Sequence, residues 1–404
     1  MHRVKILILT QYYPPETGAP QNRLSSLAKY LKEFGNEVEV LTAIPHYPKY
    51  EIFEGYKRRT FSKELIDGIP VYRGYIYITK NKGLIPRVIS YFSFTLSSYF
   101  TGRRRLEKPD VIICESPPLF LGISAVLLKR KWKSKLVFNV SDLWPESAEE
   151  IGLVKNKWIL KRSYKLANWI YKNADLVSGQ TQGIINAINL LQPGKKLFWL
   201  PNGIDPKKFA DQASSSNGIK TTFNLLYAGI IGHAQGLEVI LHAAKLLNSQ
   251  KDLHFYIVGD GPVKEELKKL QTILALTNVT FIPNQPSHKI AEWLAACDAY
   301  IVPLKKLNLF KGAIPSKLFE PLYFAKPILL GVDGEAKELF VDKAKGGLFF
   351  EPENAEDLAK NILHLYTHPE EAKAMGCNGK RYVEQNFQRE NIARKFADEI
   401  HKLM

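Results

Sequence analysis

Apolar and polar positions fall into blocks that read as a repeated strand and helix. Val4 to Thr10 is a short apolar run, the pattern of a strand buried on both faces. Leu24, Leu27, Ala28 and Leu31 recur at helical spacing and predict a helix over about Gln21 to Phe34, and Val38 to Thr42 predicts the next strand. Strand, loop, helix and strand in so short a span open a doubly wound α/β domain, where ligands sit beyond the carboxyl ends of the strands. Asp110 to Cys114, Leu136 to Val140, Ala174 to Thr181 and Phe198 to Leu200 continue the strands, and Leu121 to Lys129, Trp158 to Lys172 and the run from Gln182 continue the helices. Val71 to Thr79 alternates with period two, as a strand does or as a solvated hairpin beside the sheet.

A second series of the same kind starts at Phe223. His254 to Val258, Val279 to Ile282, Ala299 to Leu304 and Ile328 to Leu330 are short strands, with helices from Leu237, over Ile290 to Ala296, and from Ala355 onward. Between the two series lie the Pro201-Asn202-Gly203 turn and the polar stretch DQASSSNG, which reads as a linker. The pattern gives two domains, residues 1–200 and 201–387, and a last helix over about 388–404. One helix stands apart. Between Leu84 and Phe100, Ile85, Val88, Ile89, Phe92, Leu96, Tyr99 and Phe100 share one face, with Ser90, Ser93 and Ser97 on another and Arg103, Arg104 and Arg105 just beyond. Such a helix either lies in an anionic membrane interface or packs in a core with a cationic last turn.

Charge sharpens this picture. Met1 to Leu200 holds 31 Lys and Arg against 16 Asp and Glu, while the remainder holds 25 against 24, so nearly all of the net +16 belongs to the first domain. An anionic partner on that domain follows, and no helix-turn-helix or aromatic ribonucleoprotein motif supports nucleic acid. Cys114, Cys297 and Cys377 have no paired spacing for a metal, and no Asp-x-Asp triplet is present. No run reaches the roughly 18 apolar residues of a spanning helix, and Ile6 to Leu9 is too short for a secretory signal. These features suit a chain in a reducing cytoplasm, free or on a membrane surface.

The densest candidate chemistry is GAIPSKLFEPLYFAKPILLG, Gly312 to Gly331. Pro315 holds Ile314 out of the helical region, Ser316 is a favoured cap, and the helix should start at Lys317 and end before Pro327. A capped helix start with a lysine binds an anion, and a carboxylate one turn on, Glu320, can accept two hydroxyls. Phosphates at the amides and Lys317 with a ribose diol at Glu320 would make a nucleotide-sugar diphosphate site; an ordinary capped surface helix fits the same residues. The loop AGIIGHAQGLE, between a strand and a helix, offers further backbone N–H groups to phosphate. In the first domain, SDLWPES at the end of Leu136 to Val140 puts Asp142 and Glu146 where a doubly wound fold faces its ligand, or where Asp142 caps the next helix. The basic, aromatic HYPKYEIFEGYKRRTF could line an acceptor pocket.

SKLFEPLYFAKPIL, with Asp142-Leu-Trp-Pro145, Pro201-Asn-Gly203, Gly259-Asp-Gly-Pro262 and the glycine loop in that order, resembles the family 4 retaining glycosyltransferases, closest to the bacterial capsule and O-antigen subgroup. The resemblance covers nearly the whole chain. It implies the GT-B fold, two facing Rossmann-like domains with a cleft between them, the first on the acceptor side and the second on the donor side, and a final helix that crosses back to the first. It also implies transfer of a sugar, with retention and no metal or other cofactor, from a nucleotide diphosphate sugar (UDP-linked, often N-acetylated or deoxy) to a polyprenyl diphosphate-linked acceptor at the cytoplasmic membrane face. Carried over residue by residue, the donor is held by Ser316, Lys317, Leu318 and Glu320, by Gly229, Gly232, Gln235 and Gly236, by Gly18, Ala19 and Arg23, and by the neighbourhood of Asn284. Asp142, Lys317 and Glu320 are the catalytic candidates, and Asp142 and Glu146 the acceptor ones. Four positions depart from the pattern: Gly312 replaces the first Glu of the family pair, Ile230 and Gln235 replace an Arg and a Lys of the glycine loop, and Ser141 stands where a His is frequent. A nucleotide-sugar 2-epimerase of the same fold, or a non-catalytic binder of nucleotide sugar or lipid, remains an alternative.

Overall fold

The computed structural model describes residues 3–47, 50–79, 84–150, 152, 154–212 and 222–404. The linker expected at DQASSSNG falls mainly outside them, as do Pro48 and Lys49 of the aromatic, basic segment and the side chain of Ile85. The chain divides into two units, residues 1–202 with 389–404, and residues 203–388.

The first unit is ordered β1 (Lys5–Leu9), α1 (Ala19–Glu33), β2 (Glu37–Ala43), β3 (Phe61–Ile66), β4 (Ile69–Gly74), α2 (Leu84–Arg105), β5 (Val111–Ser116), α3 (Leu121–Trp132), β6 (Lys135–Val140), α4 (Glu146–Glu150), α5 (Lys157–Asn173), β7 (Leu176–Gly179), α6 (Gln182–Leu191) and β8 (Leu197–Trp199). Its sheet runs β3-β4-β2-β1-β5-β6-β7-β8, parallel except for the β3/β4 hairpin. The chain order reverses between β1 and β5, so the site of such a sheet lies at the carboxyl ends of those strands. Alternate strand residues serve two cores. Leu7, Leu9, Ile112, Cys114 and Phe138 face α2, α3, α5 and α6, while Ile6, Ile8, Val40, Ile113 and Val137 face α1. Both faces are covered, which is why the central strands are apolar throughout.

Two expectations change here. The alternating stretch at Val71 to Thr79 is strand only as far as Gly74, and Phe61–Ile66 pairs with it antiparallel at the sheet edge. Helix α2 runs on to Arg105 and turns its apolar row outward. Phe94, Thr95 and Ser98 are buried, with Ser98 Oγ donating to Ser124 Oγ at 2.8 Å, while Ile89, Phe92, Leu96 and Phe100 are exposed. It is therefore not a core helix packed by its apolar face. The polar stripe packs because Gly102 lets Leu128 and Trp132 of α3 come close, and because Ser93 Oγ accepts the Tyr77 N–H at 2.8 Å.

The second unit continues with β9 (Phe223–Ala228), α7 (Glu238–Leu246), β10 (Leu253–Val258), α8 (Lys264–Ile273), β11 (Val279–Ile282), α9 (Ser287–Ala296), β12 (Ala299–Pro303), α10 (Phe319–Tyr323), β13 (Ile328–Gly331), α11 (Glu335–Lys337), β14 (Gly347–Phe349), α12 (Ala355–Thr367) and α13 (Pro369–Asn386). Its six strands are all parallel in the order β11-β10-β9-β12-β13-β14. Renumbered within the unit this is 3-2-1-4-5-6, the dinucleotide-binding order, with its switch point between β9 and β12. The last helix, α14 (Arg389–His401), belongs to the first unit and packs on α1 through Ala393, Phe396, Ala397 and Ile400.

Candidate active site

In the second unit the site grows from the end of β9. Gly229 follows Ala228 with φ +149°, a backbone state that favours glycine, and its N–H donates to Val258 O at 2.9 Å. Gly259, after β10, has the same φ, and a side chain there would overlap the Gly229 carbonyl. The two strand ends thus touch backbone to backbone, and the Ile231 N–H bonds to Asp260 O at 2.9 Å. Gly232 is buried, Gln235 lies in the 3-10 turn His233–Gln235 with Oε1 against the Gly232 α-carbon, and Gly236 turns the chain into α7 with φ +59°. Ile230, at the position where the family has Arg, is exposed.

Lys317 reaches this loop from the turn Ser316–Leu318, between β12 and β13. Its Nζ donates to Tyr227 Oη at 2.7 Å and lies 4.1 Å from the centre of the Tyr227 ring, and Tyr227 Oη donates onward to Ile230 O at 2.6 Å. A side chain on Gly229 would sit 3.0 Å from Nζ. The ammonium is held by a phenol and a ring face with no carboxylate partner among the described residues, and desolvation pushes its pKa down to about 7. An anion placed beside it would restore the charge.

The rest of the segment departs from the expected cap. Ser316 does not cap a helix: Ser316–Leu318 is a 3-10 turn opened by Pro315 with no side-chain capping bond, and the α-helix begins only at Phe319. The Leu318 N–H is already given to Pro315 O at 3.1 Å, and the Leu318 side chain is buried. Pro321 inside so short a segment leaves the first turn tight. Glu320 is exposed one turn past Lys317, and Gly312 ends the 3-10 turn Asn308–Gly312. Asn284 is exposed on the loop between β11 and α9.

In the first unit the candidates gather at the carboxyl ends of β1, β5 and β6. Arg23 is neither solvated nor free for phosphate. It is buried, pairs with Glu115 at the end of β5, and donates to Ser141 Oγ at 2.7 Å. Ser141 Oγ also donates to Glu115, whose other oxygen accepts from Asn139 Nδ2 at 2.6 Å, and Asn139 Oδ1 accepts from Ser178 Oγ at 2.7 Å. Ser141, at the frequent His position, is thus oriented by a buried ion pair. Asp142 is exposed and accepts from Ser147 Oγ at 2.7 Å, bracing the start of α4. Glu146 is half-buried, and its Oε2 has no hydrogen-bond partner among the described residues; desolvation, with Glu149 and Asp142 nearby, raises its pKa. Gly18 and Ala19 form the entry to α1, where a side chain on Gly18 would overlap Gln21 Oε1 at 2.6 Å.

The matching families divide the chain as the sheets do. Residues 18–203 match the glycosyl transferase 4-like domain, and residues 209–382 match the glycosyl transferases group 1. The chain is a family 4 glycosyltransferase of the GT-B class. It is 27% identical to the putative colanic acid biosynthesis glycosyl transferase WcaI of Escherichia coli over 98% of its length and all of that protein. The probable glycosyltransferase WbjE of Pseudomonas aeruginosa is 25% identical over 77% of this chain and 79% of its own. Among solved structures, HepE of Anabaena in complex with UDP-glucose superposes with a TM-score of 0.70 at 17% identity, covering 99% and 100% of the two chains. The subgroup is that of capsule and O-antigen synthesis.

For this glycosyltransferase, three features escaped the sequence reading. Glu115 closes an apolar strand, the signal that singled out Asp142, and deserved the same weight. Glu16 is buried and accepts the N–H groups of Tyr13, His46 and Tyr47 at 3.2, 2.8 and 2.8 Å; burial raises its pKa to about 7. It ties the loop after β1 to the loop after β2 and sets Tyr12 within 5.6 Å of His46 and 5.5 Å of Tyr47, ring to ring. Nothing in the local sequence marks that carboxylate. Tyr227, the partner of Lys317, reads only as the last aromatic of a strand.

Proposed function

We propose that this glycosyltransferase moves a sugar from a nucleoside diphosphate sugar bound by the second unit to a lipid-linked acceptor, with retention, in the synthesis of a cell-surface polysaccharide. The observation that carries the donor half is Lys317 Nζ on Tyr227, beside Gly229, at the switch point of a 3-2-1-4-5-6 sheet. The glycine loop gives the diphosphate close approach to backbone, Lys317 gives the cation, and Glu320 accepts the ribose hydroxyls. With Ile230 and Gln235 replacing the loop's two cations, Lys317 is the main charge on the leaving diphosphate, and stabilising that charge is the largest part of the catalysis. UDP is the favoured donor nucleotide on the precedent of HepE, and whether the sugar is N-acetylated or deoxy is part of the same proposal.

On the acceptor side, Ser141 takes the place of the family His, with Glu115 and Arg23 fixing its hydroxyl, while Asp142 and Glu146 orient the incoming acceptor. The acceptor is a polyprenyl diphosphate-linked sugar, and the enzyme works at the cytoplasmic face of the membrane without a metal cofactor. The names of WcaI and WbjE support transfer over epimerisation. The test is thermal stabilisation of the whole protein by a panel of nucleoside diphosphates and their sugars, followed by turnover with and without a chelator. One nucleotide and its sugar should raise Tm, and chelation should leave turnover unchanged. Absence of a shift with every member of the panel, in folded protein, overturns the donor site.

A further inference from the structure

We propose, resting on the donor reading above, that Lys305 is a second cation for the diphosphate, carried by the end of β12. A nucleoside diphosphate bears more than one negative charge. It gains another as the bond to the sugar breaks and the electron pair stays on the phosphate oxygen. Lys317 supplies a single cation. The glycine loop between β9 and α7, Ala228 to Glu238, contains no Lys or Arg, so any further cation has to come from another element.

Strand β12 pairs in parallel with β9, so the chain leaving β12 emerges beside the glycine loop at the switch point, where a sheet of this order holds its ligand. Lys305 follows the strand and is tied to the loop through its backbone. Its N–H donates to Ala234 O at 3.0 Å, and its carbonyl accepts the Leu307 N–H at 2.9 Å. The side chain then passes over Gly236. A β-carbon on Gly236 would lie 3.3 Å from Lys305 Cγ, so glycine at this position serves the left-handed turn, φ +59°, and also leaves room for the lysine stem. Lys305 as a whole is half-buried, with its stem packed on backbone and its charged end left to find a partner.

The protein does not provide that partner. Among the described residues the Lys305 ammonium makes no hydrogen bond or ion pair, and Glu238, in the first turn of α7, does not pair with it. The neighbouring lysines are engaged. Lys306 Nζ meets Glu351 at 2.6 Å while its N–H donates to Glu353 at 2.9 Å, and Lys311 lies 3.9 Å from Asp333. Lys264, at the start of α8, gives its ammonium to Gly259 O at 2.9 Å. Of the lysines at 305, 306, 311 and 317, the middle two are neutralised by carboxylates and the outer two are not. Those two flank the segment that joins β12 to the donor turn, and both side chains lie against glycines of the same loop, Lys305 on Gly236 and Lys317 on Gly229. A half-buried ammonium without a counter-charge is stabilised by an anion that enters beside it.

The test is calorimetry on the full chain over a range of salt, with whichever of UDP, GDP, ADP, CDP and dTDP raises the wild-type Tm most. Lys305→Met keeps most of the stem and removes the charge. It should weaken the Kd by about tenfold or more, leave the Tm of the free protein unchanged, and make the Kd less dependent on salt. Lys305→Arg should keep most of the affinity. Gln235→Lys added to Lys305→Met, which returns a cation to the same turn, should recover both affinity and salt dependence. Lys306→Met, one residue along and paired with Glu351, should bind as wild type. Lys317→Met separates this proposal from the reading beneath it. If wild type binds none of the five nucleotides, or Lys317→Met binds as wild type, the donor reading fails and Lys305 falls with it. If Lys317→Met loses binding while Lys305→Met binds as wild type, or loses affinity with an unchanged salt dependence, the donor site stands and the role of Lys305 alone is overturned.

Discussion

A lysine whose ammonium rests on a phenol ring, away from carboxylates, gives up its proton near neutrality, and this sets two measurable properties of Lys317. The first is stability. Its folded pKa, about 7, lies below the unfolded 10.5, so between these values the unfolded chain holds more protons and stability rises with pH. The cost of the buried charge is full below about pH 7 and fades towards 10.5. Lys317→Met should therefore raise Tm by about 2 °C or more at pH 6, with the gain vanishing near pH 10 and nucleotide binding lost throughout. The second property is ligand affinity. A bound diphosphate raises the lysine's pKa, so binding takes up a proton above pH 7, and the Kd for the matching nucleotide sugar should weaken by up to about tenfold per pH unit there, as calorimetry in buffers of different ionisation enthalpy would show. Lys317 and Glu320 could be singled out in the sequence because they sit in a dense, ordered motif. The ion pair of Arg23 could not, because Arg23 lies on α1 and Glu115 on β5, and only the fold brings the two together.

At the scale of elements, the parallel strands were legible because burial on both faces makes them unbroken apolar runs. The β3/β4 edge was not, because one of its strands, FSKELI, mixes exposed Lys63 and Leu65 with half-buried neighbours. For α2 the period was readable and the facing was not. A helix with an apolar row normally buries it, and here the buried row joins one large core residue, Phe94, to Thr95, Ser98 and Gly102, which are small or hydrogen-bonded within the helix layer. The donor loop depends on an element contact as well. Gly259 brings the β10 turn onto the Gly229 carbonyl, so Gly259→Ala should both strain the backbone and push the glycine loop off Lys317. We expect a loss of about 3 kcal/mol or more in chemical denaturation of the second unit, with nucleotide binding lost in whatever remains folded.

For the whole molecule, the two-sheet organisation followed from the repeat of the pattern before and after residue 200, but the boundary of ownership did not. The first unit is completed by residues 389–404, whose Phe396 lies 5.4 Å from Phe198, ring to ring, and whose Ile400 is fully buried. Removing the α14 residues should therefore damage the first unit and spare the second. Loss of Phe396 alone costs about 3–5 kcal/mol, a large part of ordinary domain stability of about 5–15 kcal/mol. The truncated chain should lose the first-unit amide protection in hydrogen exchange, and keep its thermal response to nucleotide.

The chain leaves the first unit after Asn202 and comes back at Arg389, and the two ends of the intervening piece meet where the Ile204 N–H bonds to Phe387 O at 2.8 Å. In genetic terms the second unit is a cassette carried inside its host domain, with entry and exit side by side. A ribosome making this protein finishes the cassette before it makes the helix that completes the host, so the inserted unit can be folded while its host still waits for its last wall. The same adjacency of ends makes residues 203–388 the natural unit to exchange between relatives of this chain.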